Sequence, residues 1–129
     1  MSSGSEHTCV LINKNIPENI TSQSSPTPNS TSNSNFTTNS GSSDLGCMGK
    51  NTFGQSDIPA SFSSNILSIS LGAYHTCAIS TRLLVCWGNN KFNQTTVPKQ
   101  FFKAMQVSAS LHTCAVHDNQ VGCWGRNDY

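Results

Sequence analysis

Along Ile66–Leu71, His75–Ile79 and Leu84–Trp87 the side chains divide into two alternating sets, the period of a strand. No stretch carries apolar residues at helical spacing over the length a stable helix needs. The pattern predicts an all-β fold built from hairpins. One hairpin runs from Cys77 to Cys86 with its turn near Thr81-Arg82. Another runs from Cys114 to Cys123 and turns near Asp118-Asn119, a pair suited to tight turns.

These hairpins are copies of one unit. Gly72-Ala73-Tyr74-His75-Thr76-Cys77-Ala78-Ile79 leads to Cys86-Trp87-Gly88, and His112-Thr113-Cys114-Ala115-Val116 leads to Cys123-Trp124-Gly125 at the same offset. A third copy opens the chain as Gly4-Ser5-Glu6-His7-Thr8-Cys9-Val10 and resumes at Cys47-Met48-Gly49. The tail Asn51-Thr52-Phe53-Gly54-Gln55-Ser56-Asp57-Ile58-Pro59 matches Asn90-Lys91-Phe92-Asn93-Gln94-Thr95-Thr96-Val97-Pro98. Successive Cys-x-Gly positions, Cys47, Cys86 and Cys123, lie 39 and 37 residues apart. A period of this size marks a repeat protein, whose units bury their cores against one another.

The first unit is interrupted. From Glu18 to Ser43, 21 of 26 residues are Ser, Thr, Asn or Pro, too polar to offset the entropy of ordering them. The expectation is a disordered insertion at a hairpin tip, where insertions are best tolerated. The resulting organisation is a first repeat over 1–17 and 44–65, the insertion over 18–43, a second repeat over 66–103 and a truncated third over 104–129.

Charged residues make up 10% of the chain and the net charge is +1, with no basic cluster to hold a phosphate backbone. Nucleic acid is therefore not an expected partner. No apolar run reaches the roughly 18 residues of a membrane helix. Asn19, Asn29, Asn35 and Asn93 each begin an N-glycosylation tripeptide, and with six cysteines they favour an extracellular setting. The alternative is a cytoplasmic or nuclear protein with small buried thiols.

If Cys77 opposes Cys86, then Ile79 meets Leu84 and His75 meets Gly88. That register gathers His75, Cys77, Ile79, Leu84 and Cys86 on one face and Thr76, Ala78, Val85 and Trp87 on the other. Directly opposed strand residues lie within disulfide reach, so Cys9–Cys47, Cys77–Cys86 and Cys114–Cys123 are the candidate bridges. On a chain-entropy basis a loop of about 10 residues gives roughly 2.7 kcal/mol and one of about 39 residues roughly 4 kcal/mol. Zinc held by His75, Cys77 and Cys86 is a weaker reading, since a structural site wants four ligands and Cys-x-x-Cys spacing is absent. A set that recurs in every unit, as His7, His75 and His112 do, reads as structural, with each ring hydrogen-bonded locally within its own unit. Trp87 and Trp124 read as packing between units, and Gly49, Gly88 and Gly125 as positions of close approach or positive φ. No catalytic residue, metal or cofactor is expected.

The Gly-x-x-His-Thr-Cys-Ala-Ile strand, the Val-x-Cys-Trp-Gly strand and the Asn-x-Phe-Gly-Gln…Pro tail resemble regulator of chromosome condensation repeats. The likeness is to the cysteine-bearing variety of secreted proteins and crinkly-type receptor-kinase ectodomains. It implies a β-propeller, usually of seven blades, of which about two and a half repeats are present. It also implies that further blades are to be expected and that the chain is a fragment, with the strand preceding Gly4 missing. Met48 stands where the pattern has Trp, Asn93 where it has Gly, and the third unit has no counterpart of Gly72. The implied function is non-catalytic binding of a protein or peptide partner. The alternatives are an exchange-factor-like propeller for a small GTPase and the ectodomain of a receptor kinase.

Overall fold

The computed structural model describes residues 2–3, 6–13, 37–38, 43–60, 62, 65–81 and 83–128. Ten strands occur among them: β1 (Ser2–Ser3), β2 (His7–Asn13), β3 (Thr37–Thr38), β4 (Ser43–Gly49), β5 (Ile66–Leu71), β6 (His75–Ser80), β7 (Leu84–Gly88), β8 (Gln106–Ala109), β9 (His112–His117) and β10 (Gln120–Gly125). A single 3-10 turn, Lys99–Phe101, is the only helical element among the described residues. The strands form three antiparallel sheets, ordered β1-β2-β4-β3, β5-β6-β7 and β8-β9-β10. The chain is all-β, as its alternation predicts.

Register follows the cysteines. Cys9 opposes Cys47, Cys77 opposes Cys86 and Cys114 opposes Cys123. Ile79 meets Leu84 and His75 meets Gly88. The third hairpin closes on Asp118 and Asn119, at φ 47° and 61°, the left-handed pair that a two-residue hairpin loop demands. Of the segment 18–43, Thr37–Thr38 pair with Cys47 and Gly46 and Ser43 begins β4, while the rest of the expected insertion lies outside the described residues. Arg82, in the expected second turn, lies outside them too.

Two expectations are corrected. The strand before Gly4 is present as a stub, because Ser2 and Ser3 pair with Cys9 and Thr8, just as Ser70 and Leu71 pair with Cys77 and Thr76. The Gly72 position also has a counterpart, Ser110, whose N–H reaches the His112 carbonyl as that of Gly72 reaches His75, both at 2.9 Å. Sequence spacing hid it because the third connection is one residue shorter. Gly72 must be glycine for a reason Ser110 escapes. A Cβ there would lie 2.3 Å from the Ser110 carbonyl oxygen of the next sheet and 2.5 Å from the His75 ring.

The middle sheet is buried on both faces. One core packs Ala78, Trp87, Ile66 and Leu71 against Cys9, Leu45, Cys47 and Phe62. The other packs Cys77, Ile79 and Leu84 against Phe101, Ala104 and Ala115. The two side-chain sets of β6 and β7 therefore serve two different neighbours, and strict alternation in sequence becomes face-to-face stacking of sheets.

Candidate functional site

Because β6 alternates, His75 points to the third sheet and Thr76 to the first. The Thr76 hydroxyl donates to the Gln55 carbonyl at 2.8 Å, so its oxygen accepts from Nε2–H of His7, also at 2.8 Å. One sheet along, Thr113 donates to the Gln94 carbonyl at 2.7 Å and accepts from Nε2–H of His75 at 2.8 Å. A hydroxyl has one proton to give, which fixes the histidine tautomer. The same Gln carbonyls receive the indole N–H of Trp87 and Trp124, each at 3.1 Å. The Gln side chains bend back to accept from the N–H of Phe53 at 2.9 Å and Phe92 at 2.8 Å, fixing the loops after the Trp-Gly strands.

This corrects the reading of the histidines as bonded within their own unit. His7 and His75 bridge to the next sheet, because strand side chains stand perpendicular to their sheet and the nearest hydroxyl in that direction belongs to the neighbour. His112 occupies the same place on the third sheet and is exposed. Burial, reinforced by the nearby His7 and His112 rings, lowers the pKa of His75 to about 4, and burial lowers that of His7. Both rings are neutral at pH 7, committed as donors, and poor general bases.

The sulfurs are equally committed. Disulfides join Cys9 to Cys47, Cys77 to Cys86 and Cys114 to Cys123, with Cα separations of 4.1, 4.1 and 4.0 Å. The candidate zinc set of His75, Cys77 and Cys86 thus has its two sulfurs bonded to each other and its ring nitrogen engaged with Thr113. No cluster of three or more His, Cys, Asp or Glu suited to a metal occurs among the described residues. Trp87 is buried against Phe62, their centroids 6.1 Å apart, whereas Trp124 is half-buried and stacks on Phe101 at 5.7 Å. Gly49, Gly88 and Gly125 adopt φ of 110°, 108° and 109°, and a Cβ on Gly88 would lie 2.8 Å from the Tyr74 carbonyl oxygen.

Of the glycosylation tripeptides, Asn19, Asn29 and Asn35 lie outside the described residues. Asn93 is exposed at φ 63°, where Gly54 has 75°. Among residues with a side chain, Asn is one of the few that enters this region readily, so backbone geometry alone accounts for it.

Sequence reasoning missed a groove of mixed polar and apolar lining, Ser80 and Thr81 among its walls, at the hairpin-tip end of the second sheet, beside the segment that leads into the third. It encloses about 630 Å³ between Leu67, Ile79, Leu83, Lys103, Ala104 and Met105. Leu67 and Met105 are 64% and 72% exposed, and Leu83 and Phe102 are exposed nearby. Backbone bonds fix the rim: Leu84 N–H to the Phe102 carbonyl at 2.6 Å, Met105 N–H to Val116 at 2.8 Å, and Thr81 N–H to Asn65 at 3.1 Å. The signal was the doublets Leu83-Leu84 and Phe101-Phe102. Adjacent residues on an extended strand point opposite ways, so Leu84 is buried while Leu83 faces solvent; at the 3-10 turn Phe101 is buried and Phe102, just after it, is exposed.

The stacked sheets have a counterpart among solved structures. The entire ectodomain of the receptor kinase CR4 from Physcomitrella patens superposes with a TM-score of 0.58 at 22% identity, covering 96% of this chain and 29% of that one. These are blades of a β-propeller. The CRINKLY WD40 ectodomain of the receptor kinase ACR4 from Arabidopsis thaliana matches at a TM-score of 0.46 and 22% identity, covering 64% of this chain and 30% of that one. The chain thus spans less than a third of the length of either ectodomain. No protein-family model and no curated protein matches the sequence. In propeller terms, the His–Thr–Gln relay lies between blades and the groove lies at one end of them, beside the tip of the β6–β7 hairpin.

Proposed function

We propose that these blades are a non-catalytic interaction module of an extracellular propeller, built from regulator of chromosome condensation-type repeats. The partner is a protein that inserts an apolar peptide segment between Leu67, Leu83 and Met105. The observation that carries this reading is the division of labour along the repeat. The His7 and His75 rings and the Thr76 and Thr113 hydroxyls are engaged between blades, the thiols are paired within them, and Leu67, Leu83 and Met105 are left exposed around one groove. Exposed apolar patches of this kind mark binding surfaces. Three disulfides support an oxidising compartment, with Asn19, Asn29, Asn35 and Asn93 as the glycan acceptors there.

The test is a display-library selection of peptides on the oxidised protein, followed by titration of the winners. Enrichment of apolar peptides whose affinity falls at least tenfold in Leu83→Asp and in Met105→Asp is expected. Binders indifferent to both substitutions overturn the groove as the site. A second reading, an ectodomain segment of a receptor kinase, is favoured by the likeness to the CR4 ectodomain. A membrane helix and kinase motifs in the same reading frame are its test.

A further inference from the structure

Among the described residues the second blade is one strand short of the first. The first sheet has four strands, and its outer edge is covered by β3, whose Thr37 and Thr38 lie antiparallel to Cys47 and Gly46 of β4. The second sheet ends on β7, although propeller blades are typically four-stranded. Cys86 stands in β7 where Cys47 stands in β4, each opposite the first cysteine of its hairpin.

The phase of the ladder shows which backbone groups that edge presents. The Cα atoms of Cys77 and Cys86 are 4.1 Å apart, the close spacing of an antiparallel pair that exchanges no backbone bonds. The flanking bonds agree: Ser80 N–H reaches the Leu83 carbonyl at 3.0 Å, and Asn89 N–H reaches the Tyr74 carbonyl at 2.9 Å. Leu83, Val85, Trp87 and Asn89 thus turn their backbone groups toward β6, while Leu84, Cys86 and Gly88 turn theirs to the outer edge. The Phe102 carbonyl takes the Leu84 N–H at 2.6 Å. Past it, among the described residues, no backbone group meets Cys86 on this side.

This edge opens into a cleft. It encloses about 360 Å³ along Val85 and Cys86, with Leu83, Thr95, Val97 and Phe102 as walls. Apart from the Thr95 hydroxyl, the lining side chains are apolar.

We propose that the cleft takes an extended segment of a partner protein, which adds to β7 as the fourth strand of the second blade. One residue of that segment donates to the Cys86 carbonyl and accepts from the Cys86 N–H. The next lies opposite Val85, as Thr37 and Thr38 lie opposite Cys47 and Gly46. Side chains directly opposite share a face, so the first points with Cys86 toward the third blade and the second with Val85 toward the first blade. β-branched residues suit both places, and proline is barred opposite Cys86 because it has no N–H to give. The cleft shares only Leu83 with the groove, so the two sites stand or fall separately.

The probe is a capped hexapeptide of alternating threonine and valine, titrated into the oxidised, isotope-labelled protein and followed by amide exchange. Binding should slow exchange of the Cys86 amide at least tenfold and leave that of Leu84, already bonded to Phe102, unchanged. The same peptide N-methylated at every amide keeps its side chains and should bind at least tenfold more weakly. Phe102→Asp alters the cleft and not the groove, and should also weaken binding at least tenfold. Met105→Asp alters the groove and not the cleft, and should leave the affinity unchanged. Peptide mapping of the three disulfides verifies that both variants remain folded. A probe that does not bind, a Cys86 amide left unprotected, or undiminished binding of the N-methylated peptide overturns the proposal. So does binding lost in Met105→Asp and kept in Phe102→Asp, which places the probe in the groove and leaves that reading intact.

Discussion

His75 of the second blade donates to Thr113 of the third across 2.8 Å, and the pair repeats the contact of His7 with Thr76 one blade earlier. Each threonine passes the bond on to a glutamine carbonyl that also holds a tryptophan. One hydroxyl thus ties together a strand of one blade, a strand of the next and the loop between them.

Thr113→Val keeps the shape and removes the hydroxyl. It strands the Nε2–H of His75, and the Gln94 carbonyl keeps only its bond to Trp124. Leaving a buried donor unmet costs about 1–3 kcal/mol, so a loss of that size in urea unfolding is expected. Thr8→Val, on the half-buried back of the first sheet, should cost less.

The burial of His75 makes stability depend on pH with a definite sign. Its folded pKa of about 4 lies below the unfolded value of 6.5, so the unfolded chain binds more protons between those limits. Stability is full above pH 6.5 and falls as pH drops toward 4, by on the order of 3 kcal/mol from this ring. His75→Gln should flatten the profile of the urea midpoint between pH 7.5 and 5. An unchanged slope would mean that the ring is not buried as described.

Gly72→Ala forces a methyl against the Ser110 carbonyl and the His75 ring. Backbone cannot yield there as a flexible side chain could, so the cost should reach about 1–3 kcal/mol or more. The melting temperature should fall accordingly. At Ser110 the alanine change should be nearly silent by comparison.

Trp87 and Trp124 are the same residue in the repeat but not in environment. Trp87→Ala empties a buried site beside Phe62 and should cost roughly 3–5 kcal/mol. Trp124→Ala, at a half-buried ring, should cost clearly less. Calorimetry of the two variants reads the difference.

Much of the fold was legible in the sequence because the repeat carries its own register. Once Cys77 opposes Cys86, the partners of His75 and Ile79 follow by counting, and the alternation of β6 assigns its two faces. What alternation does not state is the identity of the neighbour on each face. His75 was therefore read as bonded within its own blade, when the hydroxyl it needs lies 38 residues on. The stub at Ser2–Ser3 was invisible because two serines carry no apolar pattern. The groove was overlooked because Leu67, Leu83 and Met105 are scattered in sequence and converge only when the start of β5, the tip of the β6–β7 hairpin and the turn after Phe101 are brought side by side.

The coupling between blades can be measured by a double-mutant cycle of His75→Ala and Thr113→Val in chemical denaturation of the oxidised protein. If the bond joins the blades as described, the two losses are non-additive, with an interaction energy of about 0.5–3 kcal/mol. Losses that add to within about 0.3 kcal/mol would contradict it, since they would leave His75 and Thr113 as independent residues of separate sheets.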